Sequence, residues 1–168
     1  MTHSREFPPL PLLGVAGILF HADGSLLMVQ RGQEPARGRW SIPGGLVEVG
    51  ERLETAVARE IEEETGLRVE PLHLVELVER IHPDPANPVR IRYHYVLADF
   101  LCRITGGSLA AASDADDVRW VPAAEWQPES SPLVEAFARP ILHKAWTLWQ
   151  QSGARHETRI HLEQKTVK

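Results

Sequence analysis

Apolar residues along this chain follow two different periods. From Leu12 to Phe20 and from Leu26 to Arg31 they form short, nearly continuous runs, divided by Ala22-Asp23-Gly24-Ser25. Runs of that length bounded by turn residues predict strands, and Asp-Gly between them predicts a β-hairpin. A loop rich in Gly, Pro and Arg follows from Gly32 to Gly45, carrying Trp40 and a tight Pro43-Gly44-Gly45 turn. Then the period changes. Leu53, Val57 and Ile61 stand at i, i+4 and i+8. They form the core stripe of a helix that runs from near Leu53 to Thr65, with Gly66 placed as its C′ residue.

Beyond that helix, Leu67 to Ile81 reads as one or two strands. Val89, Ile91, Tyr93, Tyr95 and Leu97 alternate with Arg90, Arg92 and His94, which predicts a strand over Val89 to Leu101. The loop Gly106 to Asp117 is rich in Gly, Ser, Ala and Asp and precedes a short strand, Val118 to Val121. Pro122 to Trp126 suggests a short helix, and Pro132 to Gln151 is an amphipathic helical segment that Pro140 should kink or split. Strands before and after a central helix, with another helix at the end, give an α/β sandwich with a mixed sheet. Residues 1–9 read as a flexible lead-in, 10–151 as a single domain, and 152–168 as a polar tail.

Composition narrows the classes of function. The 168 residues are 43% hydrophobic and 24% charged, ordinary for a globular domain with a sizeable core. The apolar run Leu10 to Phe20 is too short and too interrupted to span a bilayer, and it lacks the flanks of a signal peptide. Cys102 is the only cysteine, so a reducing cytoplasm is the expected compartment. The net charge of −5, with no basic stripe, disfavours binding along a nucleic-acid backbone. An acidic protein that handles a phosphorylated small molecule needs a metal to reverse the local field.

The polar side of the first helix supplies the reason to expect one. Glu60, Glu63 and Glu64 fall within roughly a 100° arc at 3.6 residues per turn. Like charges so placed cost about 0.2–0.5 kcal/mol per pair in an isolated helix, and a divalent cation would offset that cost. The surrounding window, GLVEVGERLETAVAREIEEETGL from Gly45 to Leu67, fits Gly-x5-Glu-x7-Arg-Glu-U-x-Glu-Glu-x-Gly-U, with U a bulky aliphatic residue. At roughly average residue usage, a chance match at one start position is on the order of 10⁻⁹.

This pattern resembles the signature of the Nudix hydrolases, the MutT-like and ADP-ribose pyrophosphatase-like enzymes. The likeness extends to Gly38 through Gly45 and to Val118 through Pro122. It implies a Nudix-type α/β/α sandwich with a mixed central sheet and the signature loop-helix-loop. It also implies a metal-dependent pyrophosphohydrolase in which metal-activated water attacks phosphorus in the diphosphate linkage of a nucleoside diphosphate derivative.

Carried over residue by residue, the resemblance makes Glu60, Glu63 and Glu64 ligands of Mg²⁺ or Mn²⁺, with the Gly45 or Gly44 carbonyl as a further oxygen. Arg59 would hold Glu60 by a charge-assisted hydrogen bond, and Glu51 would sit near the metal. Glu63 or Glu64 is the first candidate for general base. Asp114, Asp116 and Asp117 on the late loop are the alternative, with Asp114 or Asp117 preferred.

Substrate contacts are less determined. Arg31 at a strand end and Arg92 are candidates for phosphate, and Trp40 either stacks on a base or belongs to the core. Tyr93 and Tyr95 read as core rather than ligand contacts, and Cys102 as a small buried hydrophobe. Pro83, sixteen residues past Leu67, matches a spacing found in ADP-ribose pyrophosphatases of this family. That favours an ADP-ribose-like substrate, with an oxidised nucleoside triphosphate next. An exposed apolar face on the last helix would serve a homodimer.

Two other classes compete. A non-catalytic nucleotide-sensing module on the same fold is opposed by the intact carboxylates and by the lack of room for a winged helix after Gln151. An isoprenoid diphosphate isomerase requires an active-site cysteine, and Cys102 lies far from the signature.

Overall fold

A computed structural model describes residues 5–34, 36–111 and 115–152. In order along the chain these form β1 (Leu12–Ile18), β2 (Leu26–Arg31), β3 (Trp40–Ser41), β4 (Gly44–Leu46), α1 (Leu53–Thr65), β5 (Leu67–Asp84), β6 (Asn87–Gly107), β7 (Ala115–Val121), α2 (Ala123–Trp126) and α3 (Arg139–Gln151). One sheet has the order β4-β1-β6-β5 and the other β3-β2-β7. The first is mixed, because β1 runs parallel to β6 and antiparallel to β4.

Alternation along the strands places a core on each face. Val15, Leu19, Leu27 and Phe100 pack with Val57 and Ile61 of α1. Ile18, Phe20, Leu26 and Met28 pack with Leu142 and Trp149 of α3. The result is the expected α/β/α layering.

Helix α1 has the expected bounds. Gly66 closes it in the left-handed region at φ 71°, and its N–H donates to Glu62 O. The fully buried Thr65 satisfies itself locally: Oγ1 donates to Ile61 O at 2.6 Å and accepts from Leu67 N at 3.2 Å. The stripe seats tightly, since a Cβ on Gly17 would stand 2.2 Å from Ile61 Cδ1.

Two expectations change. The Asp-Gly turn forms, with Asp23 Oδ1 accepting from Ser25 N at 2.8 Å, but β1 and β2 do not make a simple hairpin. They share the Phe20–Leu26 bridge and the Leu27 N to Leu19 O bond, then part into different sheets. Pairing of all seven β1 residues with β6 outweighs the local hairpin. Pro140 neither kinks nor splits a long helix. It occupies the first turn of α3, where its missing N–H costs nothing. The lead-in is attached at Glu6 and Phe7: Glu6 Oε1 accepts from Arg92 Nη2 and Tyr93 Oη, both at 2.7 Å, and Phe7 N donates to Arg92 O.

β5 is a single strand, at the sheet edge. Its two prolines, Pro71 and Pro83, are tolerated there because an edge strand has N–H groups with no ladder to feed. Trp146 and Trp149 stack on each other at 4.9 Å between centroids, and Trp149 is buried.

Candidate active site

Packing of the Val57–Ile61 stripe turns the flank of α1 toward β4. There Arg59 gathers the carboxylates. Its Nε and Nη2 donate to the two oxygens of Glu51, both at 2.9 Å, a bidentate pair. Nη1 donates to Glu60 Oε1 at 2.8 Å and to Glu63 Oε2 at 3.3 Å, and Nη2 also reaches Leu46 O at 3.1 Å. Glu64 turns to the loop, where Oε2 accepts from Gly44 N at 2.9 Å.

Gly45 lies directly against Glu60: a Cβ there would stand 2.3 Å from the Glu60 Cδ. Only glycine lets the β4 backbone approach that carboxylate so closely. The shared guanidinium treats its partners unequally. Its hydrogen bonds hold Glu51 below the usual carboxylate range, whereas burial pushes Glu60 up despite the contact with Arg59. The bond to Glu51 in turn raises Arg59.

Gly44 and Gly45 also border a cavity of about 560 Å³ on the α3 side of the sheet. Val78, Tyr95 and Leu97 form much of its wall, with Arg31, Arg39 and Arg80 around it. Glu135 ties its rim together, accepting from Arg39 Nη1 at 2.7 Å and Arg80 Nη2 at 3.3 Å. Arg80 also lies 3.4 Å over the Phe137 ring. At the inner end stands Asp99, only 4% exposed, which burial and then Glu76 push up to about 7.

A NUDIX domain model matches residues 10–144, which is most of the chain. The chain belongs to the Nudix family. It is similar to a MutT NUDIX hydrolase structure from Burkholderia pseudomallei, at 30% identity and TM-score 0.64, over 80% of this chain and 98% of that one. The ADP-ribose pyrophosphatase of Methanocaldococcus jannaschii is 36% identical over 66% of this chain and 61% of that protein. The human 8-oxo-dGDP phosphatase NUDT18 is 33% identical over 77% of this chain. The chain spans 36% of that human protein's length. Nudix relatives of this kind carry pyrophosphatase and phosphatase names, and the chain is a Nudix hydrolase.

Within this Nudix fold, the structure brings together Glu51, Arg59, Glu60 and Glu63, and places Glu64 and Gly45 beside them. Arg31 and Trp40 line the cavity, with Arg119 4.5 Å over the Trp40 ring. Arg92 does not line it, because Glu6 holds its guanidinium at 2.7 Å. Asp117 is exposed on β7 and accepts from its neighbour's N–H, Val118 N, at 2.8 Å. Asp114 lies outside the described residues.

Tyr93 is buried as expected, but Tyr95 faces the cavity. Arg80 and Asp99 are site residues that the sequence did not single out. The one available signal was the alternation of β6, which puts Asp99 on the face of Tyr95 and Leu97. Cys102 is buried, and its thiol is pushed up to about 12. No helix among the described residues is long and apolar enough to cross a membrane.

Proposed function

We propose that this Nudix chain is a metal-dependent pyrophosphohydrolase that cleaves the diphosphate linkage of a nucleoside diphosphate derivative. The observation that carries this reading is the juxtaposition of the Arg59-centred carboxylates with an arginine-rimmed cavity, joined through Gly44 and Gly45.

The donor set suits a hard cation. Glu51, Glu60 and Glu63 share one guanidinium, so three carboxylates less one cation leave two negative charges. Among the described residues no three acidic, His or Cys side chains converge on one point: Arg59 holds three carboxylates and the Gly44 N–H holds a fourth. Glu63, half exposed on its side chain, is free to turn from a 3.3 Å contact. Glu60, Glu63 and Glu64, with the Gly45 carbonyl, would hold Mg²⁺ or Mn²⁺ through oxygen alone. When bound, the metal supplies charge neutralisation and a lowered pKa for water.

The remaining roles belong to the chain. Glu63 or Glu64 takes the proton as water attacks phosphorus, the bridging P–O bond breaks, and the leaving phosphate departs with its electron pair. Arg59 fixes Glu60 and Glu51. Arg31, Arg39 and Arg80 set a positive field along the cavity for the diphosphate.

Two substrate readings have support. The Pro83 spacing and the archaeal relative favour an ADP-ribose-like compound. The human relative favours an oxidised purine nucleotide. Pro83 itself is exposed and does not line the cavity. The test is a hydrolysis panel with Mg²⁺ of ADP-ribose, oxidised and normal dNTPs and dNDPs, and sugar nucleotides, with Glu63→Gln beside the wild type. Turnover that survives both EDTA and that substitution would overturn the reading. Tight metal-dependent nucleotide binding without turnover would favour the sensing module.

A further inference from the structure

Asp99 is a buried carboxyl that no part of the site above uses. Its Oδ1 is buried with no hydrogen-bond partner, and the residue lines the cavity. Two other cavity-lining groups, Ser41 Oγ and Arg80 Nη1, are likewise buried and without a hydrogen-bond partner. Buried polar groups without partners cost stability, and three in one cavity mark a place that a polar ligand completes.

The sheet register sets their distance from the chemistry. Ala16 of β1 pairs with Gly44 of β4 on one side and with Asp99 of β6 on the other. Two strand spacings, or roughly 10 Å, therefore separate Asp99 from the glycines that adjoin the carboxylate cluster. A nucleoside 5′-diphosphate bridges such a gap, with its phosphates at the glycines and its base at the inner end.

Resting on the pyrophosphohydrolase reading, we propose that Asp99 is the specificity-determining residue of the cavity, accepting two hydrogen bonds from the N1–H and 2-amino groups of a guanine-type base. The choice of base follows from donor and acceptor order. An ionised carboxylate is acceptor-only. Adenine sets the acceptor N1 beside its amino group, and cytosine sets N3 beside its own. Uracil and thymine carry a single N–H between two carbonyls. Guanine presents two adjacent donors, and oxidation at C8 leaves that edge intact. Val78 and Leu97 supply apolar wall beside it. Burial, and Glu76 after it, raise Asp99 to about 7, so its charge is poorly solvated in the free protein and gains most from two donors.

Calorimetry with the full chain and GDP, IDP and ADP tests the assignment, with steady-state hydrolysis of the matching substrates beside it. Wild type is expected to bind GDP roughly 10-fold more tightly than IDP, which lacks the 2-amino group, and roughly 10–100-fold more tightly than ADP. Asp99→Asn exchanges one acceptor for a donor, so it should erase the GDP–IDP difference and move the preference toward ADP. In hydrolysis the change should appear in KM rather than kcat.

Equal affinity of wild type for the three nucleotides would overturn the proposal, and that comparison needs no variant. A preference that persists unchanged in Asp99→Asn would overturn it as well. Selective binding without hydrolysis would leave Asp99 its role and remove the pyrophosphohydrolase reading instead.

Discussion

The two ends of the site treat their polar groups in opposite ways. Around Arg59 the groups are matched within the protein: the guanidinium reaches Glu51, Glu60, Glu63 and a backbone carbonyl. Roughly 10 Å from the glycines that adjoin this cluster, across two strand spacings, Asp99 Oδ1 has no hydrogen-bond partner in a largely buried setting. The first end is pre-assembled, so its charges are held ready for chemistry. The second stores an unmet demand, which a ligand settles. One end is suited to setting the reaction, the other to setting which molecule undergoes it.

The largest effect is expected at the assembled end. Glu63→Gln keeps the shape but removes a charge, and hydrolysis should fall by roughly 10²–10⁴-fold while circular dichroism stays native. A fall below tenfold would move the base away from Glu63.

The open end predicts a different behaviour, in stability. Asp99 ionises at about 7 in the folded protein, against an ordinary 3.8. The folded state thus holds this proton more tightly than the unfolded chain does. Its stabilising contribution is complete below the unfolded value and is lost as pH rises to about 7. At about 1.36 kcal/mol per pH unit the loss approaches ~4 kcal/mol as an upper figure. Unfolding free energies of Asp99→Asn and wild type should therefore separate as pH goes from 5 to 8, with the variant gaining. A pH-independent difference would mean that Asp99 is not strained.

Gly45→Ala probes how tightly the assembled end is built. The added methyl would sit 2.3 Å from the Glu60 carboxyl carbon, so Glu60 or β4 must shift. Overpacking of this kind costs about 1–3 kcal/mol, read as a lower Tm together with lost turnover.

Smallest is the rim. Glu135→Ala removes two part-exposed ion pairs, to Arg39 and Arg80, and should change stability by ~0–1 kcal/mol. KM should move more than Tm. The reverse would make Glu135 a structural brace rather than part of the cavity mouth.

The same contrast explains what could be read before the fold was seen. The helix, its Gly66 stop and the carboxylates lie within one contiguous window, where periodicity and spacing act over a turn or two of chain. An α/β sandwich with a mixed sheet followed from that periodicity, and its α/β/α layering from the resemblance to the Nudix hydrolases. Asp99 and Arg80 come from two strands that only the sheet brings together, and each is unremarkable in its own neighbourhood. Arg92 shows the converse: alternation left it open to phosphate or solvent, and in the structure its guanidinium is held by Glu6. The parting of β1 from β2 was hidden because Asp23-Gly24 forms its turn in either arrangement, and the competing strand β6 lies about eighty residues away.

That parting has a consequence for how the molecule could diversify. His21 to Ser25 is where two sheets diverge, and the buried Trp126 Nε1 fastens it by donating to Gly24 O at 3.1 Å. Because the strands on either side of this turn enter different sheets, a residue added or removed there is expected to alter how the sheets diverge without shifting the spacing of the signature residues. Such a lineage could acquire a wider or narrower substrate range through a turn that touches neither phosphate nor base.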